Sequence, residues 1–397
     1  MSNKNSKFKQ KIIIAHISTN MKTYKYRLYP NKGQTIKLNI TLDSCRYLHN
    51  ACLQQKIEKY ESEKKSISAY DQMKNIKHFN IPGLENVHSQ VIQQVIFRLD
   101  NSFKAFFTRI KHGDKPGFPR FKSGDRYNSF IYSQHGFKIC NNTHLKISKI
   151  GIVKIKLHRE INSVIKRLVI KRNPLNQWFA CFIVEENNKI TPTLIKSKVG
   201  IDLGCKTFAT LSNGDKFEHP HYYRQSEEKL SKMQSKYSLM KEKPRENKQK
   251  IKMKKSLNKL HVKIANQRSD FLHKTSRILV NTYDMICVED LNIKHMTMDN
   301  FKNLNKSILD SGWASFLDML VYKAENAGKT VIKVNPAYTS QICSSCGALV
   351  KKELSERMHV CECGLNIDRD VNASINILSF GTKLFRSSDL IEAPCVS

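Results

Sequence analysis

Two cysteine pairs joined to an acidic helix start constrain this chain more than any other feature. The stretch from Thr339 to Leu378 reads TSQICSSCGALVKKELSERMHVCECGLNIDRDVNASINIL. Cys343/Cys346 and Cys361/Cys363 bracket a short basic loop, and Asp368-Arg369-Asp370 follows closely. Val371, Ile375 and Leu378 then recur at helical spacing, with Asn372 and Asn376 on the same helix. Cys343-x-x-Cys346-Gly is a standard knuckle spacing for one structural Zn²⁺. The second half, Cys361-Glu-Cys363-Gly, is one residue shorter than usual, so either both thiols bind or His359 replaces one. Four thiolates leave no open coordination position, which points to a structural ion rather than a catalytic one. A knuckle tied rigidly to a helix that opens with carboxylates would hold an acidic metal ligand beside a nucleic-acid-binding module.

The charge balance narrows the partner. Sixty-eight Lys and Arg against 34 Asp and Glu leave a formal charge of +34 on 397 residues. A compact body with that excess repels itself, so a large polyanion is the natural partner. No apolar run approaches the ~20 residues needed to span a bilayer, and Ile12–Ile17 is too short and broken for the core of a signal peptide. Nucleic acid is the expected partner, with binding that weakens steeply in salt. Of 11 cysteines, four lie in the knuckle. The others (Cys45, Cys52, Cys140, Cys181, Cys205, Cys287 and Cys395) are scattered, as buried free thiols in a reducing compartment would be.

Taken in order, residues 1–20 read as a mobile basic arm. Tyr24, Tyr26 and Leu28 alternate with Lys25 and Arg27, predicting a strand with one basic face that Pro30 ends. Helical spacing runs from Gln34 to about Tyr60 and again from Ser89 to Ile110, giving a unit of three or four helices over 31–119. Lys111–Arg126 is a Gly/Pro-broken basic loop carrying Phe118 and Phe121; bound phosphates and stacked bases explain it as well as an anchored linker does. Short strands from Ser129 to Glu185 suggest a small β-barrel, completed by the Tyr24–Leu28 strand and interrupted by the helices. A second domain starts near Lys198. Val199–Gly204 is a strand bearing Asp202, and Asn213-Gly214 turns a hairpin. Two basic helices fold back at Pro244. Tyr283–Val288 is a buried strand ending in Glu289-Asp290; a helix through Trp313 and Ala324 and a strand at Val331–Val334 precede the knuckle. That order, three strands, helix, strand, helix, strand, knuckle, helix, is that of an RNase H-like domain.

In such an order Asp202, Glu289 and Asp370 converge. Singly, each has an ordinary explanation: an edge position, a helix cap, or an acid favouring a helix N-terminus. Together, three carboxylates in one cleft repel, and hard divalent cations relieve that repulsion. Two Mg²⁺ ions there could activate water and stabilise a leaving 3′ oxygen. Asp370 is preferred as the third acid, with Asp368 the alternative.

These residues carry a resemblance. Gly200-Ile-Asp-Leu-Gly204, Val288-Glu-Asp-Leu291, Thr339–Gly347 and Asp368-Arg-Asp-Val-Asn-Ala-Ser374 resemble the TnpB proteins of insertion sequences, their Fanzor relatives and the compact type V CRISPR effectors. Gly117-Phe-Pro-Arg-Phe-Lys122 and Tyr24–Pro30 are similar to the family's N-terminal half, so the match runs from about Met21 to Leu378. The resemblance implies a multidomain α+β protein. It would have a wedge β-barrel at 21–30 and 120–195, an inserted helical recognition lobe at 31–119, and a RuvC-like nuclease domain at 196–338 and 365–380. A zinc-binding insertion would occupy 339–364 and a tail 381–397. It implies an RNA-guided, Mg²⁺-dependent DNA endonuclease whose partners are a guide RNA and double-stranded DNA. The implied roles are catalysis at Asp202, Glu289 and Asp370, one zinc at Cys343, Cys346, Cys361 and Cys363, and nucleic-acid contacts at Tyr24, Lys25, Arg27, Arg120 and Lys122. It implies a cytoplasmic location at the bacterial nucleoid, or a nuclear one for a eukaryotic or viral Fanzor-like member. The alternatives are a guided DNA-binding regulator that does not cut and, last, a transposase, since nothing in the chain resembles an end-binding helix-turn-helix.

Overall fold

The computed structural model describes residues 12–13, 20–186, 191–240, 244, 247–297, 302–353 and 356–389. Most of the arm expected over 1–20, the end of the expected tail and Cys395 lie outside them. The chain divides into two compact units, Ser18–Asn188 and a second formed by Met1–Ile17 with Lys189–Ser397. Among the described residues, no helix is long and apolar enough to cross a membrane.

The first element, β1 (Ile12–Ile13), belongs to the second unit. The Ser18–Asn188 unit opens with β2 (Asn20–Tyr29), in which Tyr26 and Leu28 point into the core while Lys25 and Arg27 face outward. Pro30 ends the strand. Asn31 then caps α1 (Lys32–Glu63) through a reciprocal box with Gln34, whose amide donates to Asn31 Oδ1 at 2.8 Å. The short α2 (Ala69–Lys74) and α3 (Ser89–Lys111) follow. Strands β3 (Ser129–Tyr132), β4 (Phe137–Asn141), β5 (His144–Ile147), β6 (Gly151–Lys156), β7 (Val164–Arg172) and β8 (Trp178–Glu186) join β2 in one antiparallel sheet, in the order β3-β7-β8-β2-β6-β5-β4. The sheet curls until Tyr132 and Phe137, on its two edge strands, bring their rings to 6.4 Å. No ladder joins β3 to β4 among the described residues, so the expected barrel is a curled, open sheet. Leu38, Leu48, Val95 and Leu99 of the helices bury their side chains in the same core as Phe130 and Phe182 of the sheet. Each contributes about 1.5–3 kcal/mol by leaving water.

The second unit is built on β9 (Lys198–Leu203), β10 (Thr207–Leu211) and β11 (Lys216–Glu218), an antiparallel meander turned by Asn213-Gly214. Helices α4 (Tyr222–Ser238) and α5 (Lys248–Thr282) lead to β12 (Met285–Glu289), then α6 (Ile293–Met296), α7 (Lys302–Ser311), α8 (Trp313–Asn326) and β13 (Thr330–Val334). β14 (Met358–Val360) and β15 (Asn366–Asp368) pair beside the cysteines, and α9 (Arg369–Asp389) closes the described chain. The sheet order is β1-β13-β12-β9-β10-β11, with β12 parallel to both β9 and β13. Alternation sends Val199, Ile201, Ile286 and Val288 to one face, against Leu272 and Leu279 of α5 and Phe316 and Leu320 of α8. Met285, Cys287, Ile332 and Val334 face the other way, against Ile377, Leu378 and Leu384 of α9. The helix therefore runs on through the stretch expected to begin a tail at 381.

Candidate functional site

The α9 face of the second sheet gathers the acids. Gly200 and Asp202 share that face of β9, as Cys287 and Glu289 share it on β12. A Cβ at Gly200 would lie 2.0 Å from the Ser374 carbonyl oxygen, and one at Gly381 would lie 2.3 Å from Cys287 Sγ. Only glycine lets the helix backbone lie this close to the sheet. Ile201 pairs with Val288 across the parallel ladder, so Asp202 and Glu289 follow together at the carboxyl ends of their strands. Asp370 sits one turn before Ser374 on α9.

Electrostatics links the acids through Asp202. Burial first, then the charges of Glu289 and Asp370 and, last, Asp368, push the Asp202 carboxyl well above the usual carboxylate range, while Arg369 opposes them. Burial also raises Glu289, against a hydrogen bond that Thr339 Oγ1 donates to its Oε1 at 2.6 Å. Asp368 is occupied differently. Its Oδ1 accepts the N–H groups of Asp370 (2.8 Å) and Val371 (3.3 Å), capping α9, and its Oδ2 accepts Lys216 Nζ at 2.8 Å. Among the described residues Asp370 caps nothing; its Oδ1 pairs with Arg369 Nε at 3.6 Å. Of the two acids that the sequence leaves in competition, Asp368 is the one with both oxygens engaged in capping and in the Lys216 pair.

The four cysteines form a second cluster, their sulfurs all within 4.8 Å of one another. Cys343–Cys363 and Cys346–Cys361 are each 3.6 Å apart. Sulfurs at ~2.3 Å from a tetrahedral ion would be about 3.8 Å apart, so the spacing fits one metal. His359, the sequence's alternative ligand, is fully buried and its Nδ1 meets Lys352 Nζ; the four thiols converge without it. Two buried asparagines of α9 bind the loop to the helix. Asn372 Nδ2 donates to the Ile342 carbonyl at 2.8 Å, and its Oδ1 accepts the Ser344 N–H at 2.9 Å. Asn376 Nδ2 donates to the carbonyls of Ile342 (2.6 Å) and Thr339 (2.9 Å). Sequence reading put both asparagines on the helix but missed the clamp. The signal was available: polar residues at i and i+4 on a packed helix need partners.

His219, His221 and Asp310 also bring ligand atoms within 4.8 Å of one another. Here His219 and Asp310 already have partners. His219 Nδ1 accepts the His221 N–H at 2.9 Å, its Nε2 lies 2.9 Å from Ser311 Oγ, and Asp310 accepts the Tyr223 N–H at 3.2 Å. The two rings stack at 4.1 Å and 19°. The group anchors the start of α4.

In the Ser18–Asn188 unit, Lys25 and Arg27 lie side by side over the Phe179 ring, 4.4 and 5.1 Å from its centroid. Tyr24 turns to the opposite face, where its hydroxyl donates to Glu186. Arg120 is exposed, and the loop carrying Lys122 is pinned to α1 by Asn50, which accepts the Lys122 N–H at 2.8 Å and donates to its carbonyl at 3.0 Å.

Comparison with known proteins adds full-length likeness. Family models described as "Probable transposase" and "Cas12f1-like, TNB domain" match residues 181–299 and 313–377. A third, described as "Helix-turn-helix domain", matches 21–65 and corrects the expectation that nothing here resembles one, although that stretch folds as β2 and a single unbroken helix, α1. The chain is 30% identical to "Putative RNA-guided DNA endonuclease InsQ" of Escherichia coli (strain K12), over 94% of this chain and 95% of that protein. It is 27% identical to "CRISPR-associated endodeoxyribonuclease Cas12f1" of Sulfoacidibacillus thermotolerans, over 73% and 76% of the two chains. Its fold matches the protein in a Cas12f1–sgRNA–target DNA complex with a TM-score of 0.56, covering 90% of this chain and 98% of the other at 12% identity.

Proposed function

Because the chain belongs to the TnpB family of insertion-sequence proteins, we propose that it is an RNA-guided DNA endonuclease. It holds a guide RNA, engages double-stranded DNA beside a short target-adjacent motif, and hydrolyses phosphodiester bonds with Asp202, Glu289 and Asp370. The observation that carries the reading is the placement of Asp202 and Glu289 at the carboxyl ends of neighbouring parallel strands, on the sheet face covered by the helix that opens with Asp370. The strand order supports an RNase H-like, RuvC-type domain. Leaving aside β1, it runs fifth, fourth, first, second, third, with the antiparallel meander on one side and the parallel pair on the other.

An all-oxygen donor set with one acid driven far above its normal range suits a hard divalent cation, and Mg²⁺ fits Asp202, Glu289 and Asp370. Bound there, two such ions would supply an activated water and charge stabilisation for the leaving 3′ oxygen. The protein's own part is to hold the donors still. Asp202 and Glu289 end strands locked in one parallel ladder, and Asp368 caps the helix whose first turn carries Asp370. The four thiols suit one structural Zn²⁺. Lys25, Arg27, Arg120 and Lys122 are the phosphate contacts of this reading; Tyr24, engaged by Glu186, is the weakest of the five. The site of action follows the target, in the bacterial nucleoid or, for a Fanzor-like member, the nucleus.

The test is plasmid cleavage by the protein purified with its own RNA, in Mg²⁺, on a plasmid carrying the matched target. Asp202→Ala should abolish cutting while leaving guided DNA binding intact. Undiminished cutting would refute the carboxylate assignment.

A further inference from the structure

We propose that Thr339 is a positioning residue that fixes the Glu289 carboxylate and ties it mechanically to the thiol cluster. This rests on the carboxylates being the metal-binding site. Thr339 lies four residues before Cys343 and fifty after Glu289, and both Thr339 and Glu289 are buried. A hydroxyl has one proton to give, and two acceptors compete for it: Glu289 Oε1 at 2.6 Å and the Pro336 carbonyl at 3.1 Å. The shorter contact goes to the charged acceptor, which forms the stronger bond. The Thr339 backbone is held in turn. Its carbonyl accepts Asn376 Nδ2 at 2.9 Å, and the same amide group reaches the Ile342 carbonyl at 2.6 Å, one residue before the first thiol.

A continuous chain of hydrogen bonds therefore runs from the cysteine loop through α9, the helix that bears Asp370, to Glu289. Glu289 Oε1 is engaged by Thr339, which fixes the direction in which the carboxylate presents its other oxygen. Partners of this kind around ligating carboxylates typically govern metal affinity or activity by 10–100-fold.

The experiment uses the full chain with its co-purified RNA, without target DNA, stripped of divalent ions and titrated with Mn²⁺ by calorimetry. Zinc content and guided DNA binding are measured alongside. Thr339→Val keeps the shape and removes the donor; Thr339→Ser keeps the donor. The valine variant should bind Mn²⁺ about 10–100-fold more weakly, with unchanged zinc and unchanged DNA binding. The serine variant should stay near the parent. Thr339→Ala is the substitute, with the same expected loss, should the valine chain fail to fold. Parental Mn²⁺ affinity without the hydroxyl, or a serine variant as weak as valine, overturns the proposal. Asp202→Ala in the same titration keeps the two claims apart. If it abolishes tight Mn²⁺ binding while Thr339→Val does not, the site stands and only the role of Thr339 fails.

Discussion

At the scale of single residues, the site depends as much on an absent side chain as on charged ones. Gly200 stands two residues before Asp202 and lets the Ser374 carbonyl of α9 come within the space a Cβ would fill. Gly200→Ala must push the helix off the strand, because the atom it meets is backbone and cannot swing away. We expect a stability loss of about 1–3 kcal/mol, read as a lowered melting temperature. Displacing Asp370 by even ~1 Å should slow cutting by about 100-fold. A variant with parental melting and cutting would mean that helix and strand are not in register as described. Asp202, Glu289 and the four cysteines were legible as residue types at informative positions. Gly200 and Thr339 were not, because their roles come from contacts with residues 174 and 50 positions away, which local spacing cannot register. Both Asp368 and Asp370 read as acids at a helix start, and the partners of the first, the α9 N-terminus and Lys216, were not legible because Lys216 lies far away in the chain.

At the scale of elements, α9 organises the second unit. It covers one face of the sheet, presents Asp370 at its first turn and clamps the cysteine loop through Asn372 and Asn376. Cys343→Ser should release the structural metal and loosen the loop that both asparagines hold. We expect about one zinc per chain by elemental analysis in the parent, clear loss in the variant, and a lower melting temperature. Unchanged metal content would end the assignment. Most strands and long helices were readable from their periodicity. Trp178–Glu186 alternates strictly between buried and half-buried residues, and Ser129–Tyr132 begins and ends where its pattern does. The sequence did not reveal that Ile12–Ile13 would pair with β13, because a two-residue strand has no period to read. It also overstated closure of the first sheet, since alternation marks a strand's faces but not which edges find each other.

At the scale of the whole molecule, a formal charge of +34 and a cluster of acids have to be reconciled. Basic residues spread over both units attract nucleic acid without regard to sequence. The acids are proposed to share one site on the α9 face of the second sheet, where like charges repel one another unless a cation joins them. The central claim is that Asp202, Glu289 and Asp370 are a single divalent-metal site. Crystals of the protein with its RNA, soaked in Mn²⁺ and measured for anomalous scattering, test it most directly. The account predicts manganese peaks within direct coordination distance of all three carboxylates, and none at Asp368. Manganese bound elsewhere, or at one of the three acids without the other two, would contradict it.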